Sequence, residues 1–242
     1  MRHFLIQLTL TFFVGIFIAA FYAFCPFRDN DRMISYTVDT KQQQLTFYSR
    51  NPKGELFKSI QNLRGYLEAK HKTLVFAMNG GMYAVNGAPL GLYIEDHVTQ
   101  VKLDTGKGGR GNFYMKPNGV FYLTSGNAAK ICQTQLFKAS SKIKYATQSG
   151  PMLVIDGVIN PKFTQGSVNV NIRNGVGILP NNKVVFALSR LPINFYDFAL
   201  YFKELGCEQA LYLDGAVSRM YLPEQNWLQT DGDFGVIMAV TK

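Results

Sequence analysis

The chain has 242 residues, of which 47% are hydrophobic and 17% charged, with 22 glycines and 14% aromatics. This balance excludes an intrinsically disordered chain and allows one large or two small domains rich in strands and tight turns. The formal charge of +9 suits an anionic partner such as phosphate, an anionic glycan or lipid headgroups, but the lysines and arginines are scattered, so nucleic acid is not an expected partner.

Phe4 to Phe24 form an almost unbroken apolar run behind Arg2 and His3. It is long enough to span a hydrocarbon core as a helix, and it also fits a signal peptide with Ile18-Ala19-Ala20 before the cleavage point. Residues 1–27 are therefore read as a hydrophobic helix serving as membrane anchor or signal. The charge ahead of the run keeps the N-terminus in the cytoplasm and sends residues 28–242 across, to the periplasm or outside.

After a short polar linker at 26–33, Ile34–Val38 and Leu45–Tyr48 read as strands. Asn51-Pro52 opens a helix whose apolar face is Leu56, Ile60, Leu63 and Leu67, ending near His71. Thr73–Met78 is a short buried strand. Glu95-Asp96-His97 is a hairpin turn. Pro117-Asn118-Gly119 separates a strand at Phe113–Lys116 from one at Val120–Leu123, and Asp156-Gly157 separates Met152–Ile155 from Val158–Ile159. Pro180-Asn181-Asn182 divides Val176–Leu179 from Val184–Ser189. A second helix runs from Phe195 to Leu205, with Asn194 as N-cap and Gly206 as the stop. Gln209–Leu213 and Gly235–Val240 complete the strands. The expected fold class is α+β: a single domain with a mixed, largely antiparallel twisted sheet, two main helices and the N-terminal hydrophobic helix.

Several chemistries are disfavoured. The three cysteines, Cys25, Cys132 and Cys207, show no Cys-x-x-Cys spacing, which argues against structural zinc. Cys132 and Cys207 either pair or remain buried thiols. Of three histidines, His3 lies in the leader, His71 at a helix end and His97 in a turn. No His-rich zinc site or Gly-x-Ser-x-Gly nucleophile follows from these. Gly106, Gly108 and Gly111 match G-x-G-x-x-G, but a strand rather than a helix is expected after them. The loop is read as an exposed hairpin, or else as a flap over an anion with Lys107 and Arg110.

Five segments share an apolar run that meets a polar, glycine-rich step: FAMNGGMY (76–83), QSGPMLV (148–154), NIRNGVGI (171–178), YLDGAVS (212–218) and DFGVIMAV (233–240). Such tips bring distant residues around one pocket. Asp214, at the end of its strand, is the leading carboxylate. Arg173 offers a guanidinium that can bind phosphate by two prongs. Asn79 offers an amide that both donates and accepts. These three are the expected catalytic residues. Gly80, Gly81, Tyr83, Ser149, Gly150, Asn174, Gly215 and Ser218 are the expected substrate contacts.

In order and spacing, FAMNGGMY, GNFYMKPNGVFY, QSGPMLVIDG, NIRNGVGI and YLDGAVS resemble the phosphodiester glycosidase family over roughly residues 70 to 240. In that family the last motif usually reads Leu-Asp-Gly-Gly-Gly-Ser. Leu213-Asp214-Gly215 and Ser218 match it, while Ala216 and Val217 depart. Arg173 matches the family's arginine, with Asn174 where Ser or Thr is common. Asn79-Gly80 matches, with Gly81-Met82 replacing Thr or Ser and Phe. The resemblance implies a bacterial-type branch that hydrolyses a sugar-1-phosphodiester in an envelope or extracellular glycan, with no cofactor required, although a divalent cation fits the chemistry too. Phosphate is a weakly basic leaving group, so one carboxylate and one cation can replace the usual acid–base pair. Two alternatives compete: a non-catalytic module binding phosphate-containing glycans, and a metal-dependent hydrolase using Asp214 with Asp231 or Asp233 and an oxygen-seeking cation.

Overall fold

The computed structural model describes residues 32–242 apart from 107, 215 and 216. The strands among them form three sheets. The six-stranded sheet has the order β1 (Met33–Val38), β12 (Val184–Ser189), β11 (Asn174–Ile178), β13 (Gln209–Tyr212), β9 (Met152–Ile155) and β10 (Val158–Ile159). A five-stranded sheet follows the order β15 (Trp227–Leu228), β14 (Met220–Leu222), β3 (Leu74–Asn79), β16 (Ile237–Thr241) and β2 (Leu45–Tyr48). The other five-stranded sheet has the order β5 (Val98–Val101), β4 (Tyr93–Glu95), β8 (Ile143–Ser149), β6 (Gly119–Thr124) and β7 (Ala129–Gln133).

Every pairing among these strands is antiparallel. The expectation of one mixed sheet is thus corrected: the α+β class stands, as three sheets without a parallel pair. A parallel pair needs a long crossover, usually a helix. The hairpins at Asp96-His97 and Asp156-Gly157 instead reverse the chain directly, with all four residues at positive φ.

The core lies where the sheets face one another. Phe76 and Phe47, Phe121 and Tyr145, and Phe186 and Tyr36 come from the three sheets in turn. Their rings interlock, with Phe76–Phe186 centroids 5.1 Å apart and Phe47–Phe121 centroids 5.6 Å apart. β12 shows why an uninterrupted apolar run appears in the sequence. Phe186 and Leu188 turn to this core, while Val185 and Ala187 face a second cluster built on the helix α2 (Phe195–Glu204). Period-two alternation disappears when both faces are covered. Gly175 and Gly177 let that helix close on β11, since a Cβ at 177 would lie 2.7 Å from Phe202.

The helix α1 (Ile60–Glu68) covers the sheet that contains β3 with Ile60, Leu63 and Leu67. It begins later than its apolar spacing predicts. Asn51 does not open it, because its side-chain oxygen accepts from the amides of Lys53 and Glu55 and closes a local turn. Ser59 is the actual N-cap, accepting from Asn62 at 3.1 Å. Leu56 lies outside the helix in a bridge with Arg50. The strand expected at Phe113–Lys116 is also absent. Asn112–Tyr114 is a 3-10 turn, and β6 pairs instead with β7 and β8.

Residues 33–242 pack as one unit. The apolar run at 4–24 lies outside the described residues, and among those described no helix is long and apolar enough to cross a membrane. Cys132 and Cys207 are free thiols, and burial pushes Cys207 up to about 12.

Candidate functional site

Strand ends from all three sheets meet at one polar cluster. Asn79 ends β3, Asn174 begins β11, Ser149 ends β8, and Asp214 lies just beyond β13. Antiparallel pairing of β11 with β13 sets Gly175 opposite Tyr212, so the start of one strand meets the exit of the other.

The amide of Asn174 ties the cluster together. Its Nδ2 donates to the backbone oxygen of Asn79 at 3.1 Å and to Asn79 Oδ1 at 2.9 Å. Its Oδ1 accepts from the backbone N–H of Asp214 at 2.8 Å. Ser149 donates its hydroxyl to the Leu213 carbonyl at 2.6 Å, and Ser218 donates to the Asp214 carbonyl at 2.5 Å. Asn79, Asn174, Ser149, Ser218 and Asp214 are all buried, Asp214 at 6% exposure. Asn79 Oδ1 also accepts from the backbone N–H of Arg219 at 2.8 Å. Its Nδ2, by contrast, is buried with no hydrogen-bond partner. Buried donors are almost always satisfied, so an orphan amide next to the residues that hold Asp214 marks this end of the fold as a candidate site.

The glycines permit these close approaches. A Cβ on Gly80 would lie 2.8 Å from Val236, and one on Gly150 would lie 2.6 Å from Asn118; a Cβ on Gly81 would collide with Thr147. Tyr83 stands on the adjoining hairpin that pairs it with Pro89. Burial raises its phenol above the ordinary value, and the charges of Asp214 and then Asp233 raise it further, which puts the ring within electrostatic reach of Asp214. Gly215 lies outside the described residues. The structure therefore joins Asn79, Asn174, Ser149, Ser218 and Asp214 through direct hydrogen bonds.

Arg173 adjoins the cluster but is enclosed. It is 1% exposed, its Nε donates to the Ile193 carbonyl at 2.8 Å, and one terminal nitrogen donates to the Asn169 carbonyl at 3.0 Å. Its guanidinium carbon lies 3.6 Å from the centre of the Phe195 ring. The other terminal nitrogen reaches the Tyr212 hydroxyl at 3.5 Å. Burial lowers the affinity of this guanidinium for its proton, with Tyr212 opposing the shift. Tyr212 is pushed up to about 12, mainly by its own burial. Among the described residues no carboxylate pairs with Arg173, and its guanidinium meets carbonyl dipoles and ring faces. The edge formed by Nε and the first terminal nitrogen is thus taken by Ile193 and Asn169, and a two-pronged grip on a phosphate through it would displace both.

Two carboxylates considered as metal partners of Asp214 meet cations instead. Asp231 takes both prongs of Arg219 at 2.8 and 2.9 Å, and Asp233 lies 3.7 Å from Lys58. A cavity of about 780 Å³ opens at the opposite ends of β11 and β13, between Ile178, Gln209 and Lys130, and none of the described site residues lines it. Volume and chemistry disagree here; the orphan amide and the buried polar network favour the Asp214 end.

Sequence reasoning missed Tyr212 and Arg219. Tyr212 reads as an ordinary strand residue, because nothing local reveals that it backs onto Arg173. Arg219 follows Ser218 directly, and its place next to a motif serine was the available signal.

A mainly antiparallel fold with a polar site at converging strand tips defines the class, and comparison gives the family. The phosphodiester glycosidase profile matches residues 72–236. The chain belongs to the phosphodiester glycosidase family. It is 42% identical over 189 residues, 78% of its own length and 73% of the relative's, to the uncharacterized protein YigE of Escherichia coli K12. Among solved structures it resembles the catalytic domain of zebrafish N-acetylglucosamine-1-phosphodiester alpha-N-acetylglucosaminidase, auto-inhibited by its pro-peptide. There the TM-score is 0.54 at 16% identity, covering 86% of this chain and 81% of that one. A hypothetical protein from Synechocystis gives a TM-score of 0.53 at 13% identity, covering 86% of this chain and 59% of its own. At these identities the structural likeness speaks for the fold.

Proposed function

We propose that the protein is a hydrolase that cleaves the glycosidic bond of a sugar-1-phosphodiester. The observation carrying this reading is the buried Asn79–Asn174–Asp214 linkage, with the unpaired Asn79 Nδ2 beside it. In the reaction, the bond between the anomeric carbon and the phosphate oxygen breaks, and the electron pair leaves with the phosphate monoester. Water supplies the hydroxyl to the sugar. Asp214 either accepts the water's proton or stabilises positive charge developing on the anomeric carbon. Asn79 Nδ2 donates to a sugar oxygen. Arg173 adds a fixed positive charge from behind Tyr212, in a setting where low dielectric strengthens its field.

The substrate is assigned to an envelope or extracellular glycan. Support for that address comes from the apolar run at 4–24 and the net charge of +9.

The test is incubation with an aryl phosphodiester of N-acetylglucosamine. Turnover by the wild type that survives a chelator and is abolished in Asp214→Asn, with an unchanged melting temperature, supports the reading. Full activity in Asp214→Asn removes the carboxylate from the mechanism. Binding without turnover turns the protein into a glycan-binding module, and loss of activity in chelator assigns it to metal-dependent hydrolysis.

A further inference from the structure

The cluster adjoins a second guanidinium, more open to solvent than the enclosed Arg173. Arg219 follows Ser218, and its backbone N–H is fixed on Asn79 Oδ1, the other end of the amide whose Nδ2 is unpaired. Its side chain is 33% exposed, whereas Arg173 is 1% exposed overall. One terminal nitrogen donates to the Ser218 carbonyl at 3.0 Å, and Ser218 in turn donates its hydroxyl to the Asp214 carbonyl. The two other nitrogens, Nε and the second terminal nitrogen, donate together to the two oxygens of Asp231.

That pair has the geometry of an occupied anion site. A guanidinium edge presents two parallel N–H groups, and carboxylate and phosphate oxygens fit the edge in the same way. The carboxylate in place belongs to a side chain exposed to 66%, in the loop just before β16. An exposed ion pair of this kind contributes little to stability, so exchanging one anion for another on the same edge costs little. The Asn79 contact to the backbone and the Ser218 contact to one terminal nitrogen do not involve Asp231.

We propose that Arg219 receives the phosphate of the substrate, with the Asp231 carboxylate holding the anion position until the phosphate displaces it. This rests on the sugar-1-phosphodiester reading above and adds the group that recognises the charged half of the substrate. The ligand class is a phosphate mono- or diester, whose non-bridging oxygens take the two N–H groups that Asp231 leaves. The exchange is non-covalent: one oxyanion leaves the guanidinium edge and another arrives.

A structural ion pair and an occupied anion site predict different results. If Arg219 and Asp231 merely support each other, removing either has the same effect. If Asp231 stands in for the ligand, the two removals act in opposite directions. Inorganic phosphate binding to the full chain is measured by calorimetry for wild type, Arg219→Gln and Asp231→Asn, each checked by thermal melting. Arg219→Gln should weaken binding by roughly ten- to a hundredfold, the range set by a charge-assisted hydrogen bond. Asp231→Asn should tighten it by roughly two- to fivefold, the scale of losing a weak exposed competitor. Unchanged phosphate binding in Arg219→Gln, weaker binding in Asp231→Asn, or no binding by the wild type each overturns the proposal. Turnover of the aryl phosphodiester is followed in parallel. Phosphate binding with the opposite-sign pattern but no turnover keeps the anion site and sinks the glycosidase reading; turnover without that pattern does the reverse.

Discussion

Asn174→Ala is the sharpest perturbation of the buried network. The side chain is fully buried and makes three hydrogen bonds, to the Asn79 carbonyl, to Asn79 Oδ1 and from the Asp214 amide. Truncation takes the Oδ1 acceptor from the Asp214 N–H and a donor from the Asn79 carbonyl, while Asn79 Oδ1 keeps the Arg219 amide. A buried polar group left unsatisfied costs about 1–3 kcal/mol, so the expected loss is about 2–5 kcal/mol. For a domain of this size each kcal/mol lowers Tm by about 2–4 °C, which predicts a fall of roughly 5–15 °C. Urea unfolding should show a lower midpoint with an unchanged slope. Asn174→Asp refines the test. It keeps the volume but sets a carboxylate against two Asn79 oxygens, which raises its folded pKa above the ordinary carboxylate value of about 4. A raised pKa means stability is fullest below that ordinary value and is lost as pH rises through the folded one. The aspartate variant should therefore recover stability on acidification, relative to wild type. A loss below about 0.5 kcal/mol in Asn174→Ala, or an Asn174→Asp deficit indifferent to pH, would refute the bridging role.

Two further outcomes follow from buried charges. Burial raises the Glu95 carboxyl, and the Tyr93 hydroxyl that donates to it at 2.6 Å only partly offsets this. Its contribution is thus present below the ordinary Glu pKa and lost as pH rises, so Glu95→Gln should raise Tm at pH 7, with the gain closing toward about pH 4 in pH-dependent melts. Arg173→Lys keeps the charge but cannot reach the Ile193 and Asn169 carbonyls while lying flat on Phe195; a loss of about 2–4 kcal/mol in urea unfolding is expected, and a neutral result would contradict the clamp.

Much of the fold was legible because the local signals were strong. Asn194 capping α2, with Asp197 in its first turn and Gly206 after its end, reads directly from the sequence and is found in place. The turns at 96–97 and 156–157 did the same for their hairpins. Asn51 misled because asparagine before proline serves equally as a helix cap and as a local turn, and only the following backbone decides. Phe113 misled because its apolar spacing satisfies a strand, whereas its burial comes from a 3-10 turn packed under Gly91 and Gly150. The number of sheets was not legible at all. Strand pairing between β8 and β6, or between β3 and β16, joins segments with no local signal of partnership. The same limit applies to the site. Asn79, Asn174 and Asp214 could be named one by one as polar strand tips, but the enclosure of Arg173 by Asn169, Ile193 and Phe195 depends on long-range packing.

The convergence of three sheets has an energetic consequence that can be measured. The Leu213–Asp214 segment is held from two sides: the Leu213 carbonyl accepts from Ser149, at the end of β8, while the Leu213 and Asp214 amides donate to Asn174, at the start of β11. Ser149→Ala alone leaves a buried carbonyl without its hydroxyl and should cost about 1–3 kcal/mol. Once Asn174 is truncated, the segment has lost one anchor and can shift to recover solvent or alternative partners, so the second truncation should cost less. Residues sharing a network couple by about 0.5–3 kcal/mol, whereas independent sites add to within about 0.5 kcal/mol. The double variant Ser149→Ala, Asn174→Ala should therefore lose less stability than the two single variants together, by at least about 0.5 kcal/mol. Additive losses would mean that the two strand ends hold Asp214 independently, and that the carboxylate is positioned by its own turn rather than by the meeting of the sheets.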